Sequence, residues 1–280
     1  MKDVFLFLGQ SNMQGQTGSL PQKNDAVQGA EEYLFLSDTV RPLRHPVGEN
    51  IGFDGKEGRC DLSDALLGAW ENGGSLLPYF CDAYCRASGR EVLAVHAAKG
   101  ATTISYWQKG GTPYDLVTKK FRAAEEKIGK ENVAHRYAVF LQGESDALES
   151  TDEETYLRLL ASFGKALKED LGIERFFVIR VGRFANDERD FLILAAQEKL
   201  CAKDPFFVML TRATGELLQK DGFTFYEGHY NNLAFSVLGE IAGRHAADFV
   251  DGKPVALEEE PYAAFTEWQK RRMECGQNKK

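Results

Sequence analysis

Ser11 is the first residue whose setting could support chemistry. It stands in GQSNM, directly after the apolar run VFLFL and a glycine. A serine hydroxyl becomes a nucleophile only when a base accepts its proton and the chain presents it to the substrate. A strand that ends at this point would direct Ser11 into a cleft. The same position also suits a serine that only caps a helix, so Ser11 alone does not predict catalysis.

Three further segments carry groups that could assist a nucleophilic serine. KGATTISYW contains Gly100, whose backbone N–H can approach a substrate oxygen closely because no side chain intervenes. QGESD contains Gln142, which can donate an N–H to an oxyanion, and Glu144, which can orient an imidazole. GHYNN contains His229, which can serve as a general base from a loop. Each segment taken singly is better explained as an ordinary turn, loop cap or solvated loop residue.

Strands and helices must bring these segments together. Apolar runs predict strands, and segments of helical periodicity between them predict helices. The predicted strands are 4–8, 91–98, 134–143, 175–182 and 206–211, and the predicted helices are 76–88, 113–130, 153–171, 187–203 and 231–248. This alternation favours βαβ units and a parallel sheet covered on both faces. Ligands bind at the carboxyl ends of such strands, where GQSNM, KGATT and QGESD begin.

The bulk composition is that of a globular protein. The chain has 280 residues, of which 43% are hydrophobic and 27% charged. A net charge of −8 gives no support for a nucleic-acid or membrane partner. Cys81 and Cys85, one helical turn apart, are best explained as small apolar residues on one helix face. The opening residues lack the features of a signal peptide and no stretch approaches a membrane span, which predicts a reduced, cytoplasmic protein.

No linker composition divides the chain. We predict one domain over residues 1–280, with a core over about 3–250 and a C-terminal extension over 251–280. Residues 15–60 are rich in Gly, Pro, Asn and Asp and predict a long loop. The basic tail QKRRMECGQNKK predicts a solvated, frayed helix end. No histidine and carboxylate cluster has ligand spacing, so we expect neither a metal nor an organic cofactor.

Taken together and in this order, GQSNM, KGATTISYW, QGESD and a late GH resemble the blocks of the SGNH hydrolases. The resemblance is to the sialate O-acetylesterase-like group, which includes the acetylxylan esterases of carbohydrate esterase family 6. It spans residue 3 to about residue 248. It implies a three-layer, flavodoxin-like α/β/α sandwich around a five-stranded parallel sheet. It also implies hydrolysis of acetyl esters on a carbohydrate through an acyl-enzyme.

The resemblance assigns roles to the polar residues. Ser11 would be the nucleophile, and its backbone N–H would form an oxyanion hole with the N–H of Gly100 and the side-chain amide of Gln142. His229 would accept the serine proton and return it to the leaving sugar hydroxyl. We expect Ser11→Ala and His229→Ala to be nearly inactive and Gln142→Ala to be strongly impaired.

The acid that orients His229 is where the chain departs from many relatives, which have Asp three residues before the histidine. Here that position is Tyr226, which is neutral at pH 7. Three carboxylates are candidates: Glu144, Glu227 and Asp221. Glu144 is favoured because some family members use the glutamate of the QGESD block. A Ser–His dyad without an acid is the remaining alternative.

Substrate contacts are expected from Gln10, next to the nucleophile, and from Tyr106 and Trp107, whose rings can stack on a sugar. An equally good explanation for Trp107 is an aromatic plug at the sheet edge. The expected partner is a small-molecule or oligosaccharide acetyl ester, with the oligomeric state open. Two alternatives remain: an esterase for a non-sugar acyl ester, and a carbohydrate-binding protein with an inactive site.

Overall fold

The computed structural model describes residues 1–17, 21, 24–48, 73–226 and 228–277. The strands in these ranges are β1 (Lys2–Gly9), β2 (Ala30–Leu34), β3 (Thr39–Pro42), β4 (Glu91–Ala98), β5 (Val133–Leu141), β6 (Arg175–Ile179), β7 (Phe207–Thr211), β8 (Thr224–Tyr226) and β9 (His229–Tyr230). The helices are α1 (Ser11–Gln14), α2 (Leu76–Ser88), α3 (Thr112–Ile128), α4 (Glu144–Leu148), α5 (Glu153–Leu171), α6 (Glu188–Lys203), α7 (Ala213–Gln219), α8 (Asn232–Val250) and α9 (Ala263–Gln277).

Seven of the described strands form one sheet, in the order β3-β2-β4-β1-β5-β6-β7. All neighbours in it are parallel except β2 and β3. The five predicted strands are β1, β4, β5, β6 and β7. They lie in the order of a flavodoxin-like sheet, with the second strand beside the first and the third on its other side. The predicted fold class is therefore confirmed, but the sheet has seven strands in the described ranges, not five, and is not wholly parallel. The remaining strands, β8 and β9, form a separate hairpin.

The prediction of a loop over residues 15–60 is wrong for β2 and β3, which extend the sheet beyond β4. Two adjacent glutamates in β2 conceal it in the sequence, because a buried strand is expected to be apolar. Glu32 is nevertheless fully buried, and Arg41 on β3 donates hydrogen bonds of 3.1 Å and 2.9 Å to its carboxylate. Positions 49–60 of the predicted loop lie outside the described residues.

The core is divided by the sheet into two apolar layers. Along β1, Val4 and Leu6 point into the layer under α3, α5 and α6, whereas Phe5 and Phe7 point into the layer under α2 and α8. This alternation follows from the two-residue period of a strand, and burial on both faces requires the continuous apolar run. The prediction of helices on both faces is confirmed.

The C-terminal helix α9 is more firmly packed than its basic sequence suggests. Phe265 and Trp268 pack against Phe191 and Leu194 of α6. Residues 270–274 are exposed, as predicted for a solvated end. Of the helices described, none is both long enough and apolar enough to cross a membrane. The single-domain organisation and the cytoplasmic location stay predictions.

Candidate active site

Three of the predicted segments leave the sheet at the same edge. Gly9 at the end of β1 is in register with Ala98 of β4 and Leu141 of β5. A Cβ on Gly9, which has a φ of +147°, would lie 1.9 Å from the Leu141 carbonyl oxygen. Gly143 has a φ of +143°, and its Cβ would lie 2.7 Å from Ile193 Cγ2. Both turns therefore require glycine. The edge between β1 and β5 is the switch point at which such sheets bind ligands.

Ser11 and His229, which are far apart in the sequence, both lie near this edge. Gln10 donates its backbone N–H to the Leu141 carbonyl (3.2 Å), and Ser11 follows as the first residue of α1. Ser11 is 3% exposed. His229 begins β9, is 8% exposed, and lies edge-on to the Phe184 ring at 5.4 Å between centroids.

Asn12 is the residue that joins the three parts of the site. Its Nδ2 donates to Glu144 Oε1 (2.9 Å) and to the carbonyl of Gly228 (3.3 Å). Its Oδ1 accepts the backbone N–H of Tyr230 (3.1 Å). Asn12, the neighbour of Ser11, therefore binds the backbone before and after His229 and also contacts Glu144. The sequence gives no sign of this role of Asn12, because its partners lie 132 to 218 positions away.

Glu144 is the one candidate acid that the described residues place in this network. It is 3% exposed, and its Oε2 is buried without a hydrogen-bond partner among the described residues. Burial raises the pKa of Glu144 to about 7, and the Asn12 hydrogen bond opposes this only in part. Asp221 is exposed in the turn before β8, and Glu227 lies outside the described residues. The role of Glu144 toward His229 stays a prediction.

The Gln142 side chain holds neighbouring loops together. It is fully buried, and its Nε2 donates to Asp146 Oδ2 (2.5 Å) and to the Thr102 carbonyl (2.8 Å). Its Oε1 accepts from the Tyr156 hydroxyl (3.2 Å). Both amide hydrogens therefore have acceptors in this structure. Its oxyanion role stays a prediction, and an oxyanion would have to compete with Asp146 and Thr102 for the amide.

The Gly100 N–H is also occupied. It donates to Gln14 Oε1 (2.7 Å), which accepts a second hydrogen bond from Gln16 Nε2 (2.9 Å). A Cβ on Gly100 would lie 2.2 Å from Gln16 Nε2, so the position suits only glycine while Gln16 covers it. The amide oxygen of Gln14 takes the place that the resemblance assigns to the oxygen of a substrate.

The three predicted substrate contacts have different surroundings. Trp107 is fully buried and packs against Phe163 and Tyr106. The structure contradicts sugar stacking by Trp107, because its ring faces are covered by the core, and supports the alternative of an aromatic plug. Tyr106 is half-buried, with Lys99 Nζ 5.8 Å from its ring centroid. Tyr106 therefore remains a candidate for sugar contact.

Gln10 points into the structure below the nucleophile. It is 3% exposed, and its Oε1 accepts the backbone N–H of Ser145 (3.2 Å) and, at 3.4 Å, Gln142 Nε2. These bonds make it a support for the QGESD turn, with little surface left for a substrate. Within the described ranges, no three or more His, Cys, Asp or Glu side chains are grouped as metal ligands would be.

Comparison with known proteins assigns the family. A model for carbohydrate esterases, the sialic acid-specific acetylesterases, matches residues 1–247. The chain belongs to this family. The resemblance drawn from its four segments is thereby confirmed, and family membership supports an esterase activity on carbohydrates. No curated protein matches the sequence.

Solved structures of the same fold are distant in sequence. A protein from Arabidopsis thaliana is 19% identical with a TM-score of 0.67, over 88% of this chain and 97% of its own. NanS is 11% identical with a TM-score of 0.64, over 90% and 98% of the two chains. A carbohydrate acetylesterase from Xanthomonas citri is 16% identical with a TM-score of 0.55, over 88% and 56%. At these identities the likeness extends to the fold alone.

Proposed function

We propose that this protein hydrolyses O-acetyl esters on a carbohydrate, with Ser11 as nucleophile and His229 as general base. The observation that carries the proposal is the Asn12 network. It holds the segments of Ser11, Glu144 and His229 at one edge of the sheet, in a chain of the carbohydrate esterase family. A serine hydrolase needs a hydroxyl and a base close together, often with an orienting acid, and the Asn12 network brings the segments that carry these groups to one place.

The proposed reaction has two steps. The Ser11 oxygen attacks the acetyl carbonyl carbon while His229 accepts the serine proton. The carbon–oxygen bond to the sugar then breaks, the sugar oxygen takes the proton from His229, and an acetyl-serine remains. Water attacks this ester with His229 again as base. Acetate leaves, and the proton returns to Ser11.

The oxyanion of each step needs donors, and the backbone N–H of Ser11 is one of those proposed. Gly100 is the second, and here the carbonyl oxygen of the substrate would replace the Gln14 amide oxygen. Such an exchange of one acceptor for another leaves the N–H paired throughout, so its cost is small. Gln142 would be the third donor only if its amide leaves Asp146 or Thr102 during the reaction.

Glu144 is the proposed orienting acid. In its carboxylate form it would stabilise the positive charge that forms on His229. Because burial raises its pKa to about 7, the fraction of the active form would change around neutral pH. A neutral Glu144 would leave the imidazolium without this support.

Acetate release from 4-nitrophenyl acetate, acetylated xylan and an O-acetylated sialic acid tests the proposal. We expect Ser11→Ala to lose about four or more orders of magnitude in kcat. Ser88→Ala is the matched control, because Ser88 lies at the end of α2, at the opposite edge of the sheet. An undiminished Ser11→Ala rate would refute the nucleophile.

The substrate comparison distinguishes the alternatives. Faster release from longer acyl chains than from acetyl esters would favour the non-sugar esterase. No acetate release from any ester by the parent protein, together with carbohydrate binding, would favour an inactive binding protein.

A further inference from the structure

We infer that Asn12 is the positioning residue of His229. Its side chain holds the backbone on both sides of the histidine and ties this segment to Glu144. The inference rests on the proposed function, since it concerns the residue proposed as the base. Asn12 itself would touch neither the substrate nor the reacting atoms.

The hydrogen-bonding capacity of the Asn12 amide is matched to its surroundings. The side chain is 2% exposed, and its two N–H groups donate to Glu144 Oε1 and to the Gly228 carbonyl. Its oxygen accepts the N–H of Tyr230. Water therefore cannot replace a lost bond easily, and each removal leaves a buried polar group unpaired.

The segment that carries His229 needs such support. Among the strands that the structure describes, β8 and β9 pair with each other and with no strand of the main sheet. A two-stranded hairpin is marginally stable by itself. On the other side of the histidine, the Phe184 ring lies edge-on to it, and a Cβ on Gly228 would come within 2.7 Å of that ring. Asn12, through the flanking backbone, and Phe184, through its ring, therefore both constrain the position of the imidazole.

No other side chain of this size offers the same set of bonds. An aspartate could still accept from Tyr230 but could not donate to Gly228. It would also place a second carboxylate against Glu144, which disfavours ionisation of both. Asn12→Asp therefore preserves the shape of the side chain while it removes the two N–H donors. It is the most direct single substitution for testing the role of these hydrogen bonds.

The first measurement is steady-state kinetics of Asn12→Asp. We expect kcat to fall about 100-fold, since a misplacement of about 1 Å costs this much, and KM to stay within about twofold. The matched control is Tyr84→Phe, which removes the 2.5 Å hydrogen bond to buried Asp3 at the far edge of the sheet. It should lose stability with kcat unchanged. A parental kcat in Asn12→Asp, or a rise in KM alone, would overturn the inference.

The second measurement is a double-mutant cycle with His229→Ala. If Asn12 acts through His229, adding Asn12→Asp to His229→Ala causes no further loss in kcat. Losses that multiply would show that Asn12 acts elsewhere, and would overturn the inference. Asn12→Ser, which keeps one donor and adds no charge, replaces Asn12→Asp in both measurements if the aspartate variant does not fold, with a smaller expected loss.

Full activity of Ser11→Ala would show that the proposed function is wrong. A third measurement tests the role of Asn12 even in that case. NMR of histidine-labelled protein reports the His229 imidazole directly, with His229→Ala identifying its signal. We expect one sharp signal in the parent protein and in Tyr84→Phe, and a shifted or multiple signal in Asn12→Asp. An unchanged His229 signal in Asn12→Asp would overturn the inference, whatever reaction the site performs.

Discussion

Two buried glutamates, Glu32 and Glu144, show how differently one side chain can be used in a single fold. Glu32 is fully buried, with one oxygen bonded twice by Arg41 and the other accepting the N–H of Gly48. Glu144 is nearly as buried, but it has one hydrogen bond from neutral Asn12 and an Oε2 with no described partner. Burial raises the pKa of both, and only Glu32 faces a guanidinium that opposes the rise.

The comparison separates a structural carboxylate, Glu32, from Glu144, for which we propose a catalytic role. Glu32 joins β2 to β3, where its charge is neutralised by a partner on the adjacent strand. Glu144 lies at the carboxyl edge, where an incompletely satisfied carboxyl titrates near neutral pH. Groups whose pKa is shifted by burial and that lie at a cleft edge are typical of catalytic sites.

The largest expected effect on stability comes from removing the charged partner of Glu32, which leaves it, like Glu144, without a guanidinium. Arg41→Met removes the guanidinium and leaves a buried carboxyl without its charged partner. We expect a loss of about 3 kcal/mol in the free energy of unfolding at pH 8. The loss should shrink as the pH is lowered, because burial raises the pKa of Glu32 and protonation removes the unpaired charge. Urea unfolding at pH 8 and at lower pH checks this, and kcat of the folded variant should equal that of the parent.

Glu144→Gln should increase stability at high pH, whereas Arg41→Met should decrease it. The folded-state pKa of Glu144, about 7, lies above the ordinary 4.5, so the folded state keeps its proton longer than the unfolded state. The free energy of unfolding therefore falls as pH rises from 4.5 to 7. At pH 8 the glutamine variant should be more stable by up to about 3 kcal/mol, with no gain near pH 4. If the parent and Glu144→Gln were equally stable at pH 8 as well as at pH 4, Glu144 would not be a buried carboxylate that lacks a charged partner.

The same variant tests the role of Glu144 in catalysis. If the carboxylate supports His229, kcat of the parent should increase as pH passes through about 7, and Glu144→Gln should lower the high-pH rate about 10-fold to 100-fold. The pH profile of kcat for 4-nitrophenyl acetate measures both effects. An unchanged profile and rate would leave a Ser–His dyad as the simpler mechanism.

The smallest expected effect concerns Gln14, which occupies the N–H of Gly100. Gln14→Ala removes the competing oxygen, so we expect KM for acetyl esters to fall about twofold to fivefold, which corresponds to less than 1 kcal/mol. Gln219→Ala is the control, because among the described residues the Gln219 side chain donates hydrogen bonds to the carbonyls of Gly215 and Pro261, away from Gly100. A large fall in kcat would show instead that Gln14 holds the Gly100 loop in its active shape.

The fold was predictable from the sequence where local pattern determines structure. VFLFL predicts β1 because a strand buried on both faces must be apolar throughout. The strand with Glu31 and Glu32 was not predictable, since Glu32 is compensated by an arginine nine positions later. The sequence shows that Trp107 carries a large aromatic ring, but it does not tell whether that ring faces the core or the substrate.

The residues of the candidate site could be proposed from the sequence and stay a prediction, whereas the contacts between them could not be foreseen. The order of the four segments indicated Ser11, Glu144 and His229. The role of Asn12 depends on three partners that only the folded chain brings near. The occupied N–H groups of Gly100 and Gln142 likewise follow from side-chain positions, which spacing along the chain does not encode.

Mass spectrometry of the protein quenched during turnover of 4-nitrophenyl acetate tests the central claim most directly. We predict one added acetyl group, mapped to the peptide that contains Ser11, and none in Ser11→Ala. Rapid acetate release with no acetyl adduct on the Ser11 peptide, and with an undiminished rate in Ser11→Ala, would contradict the account.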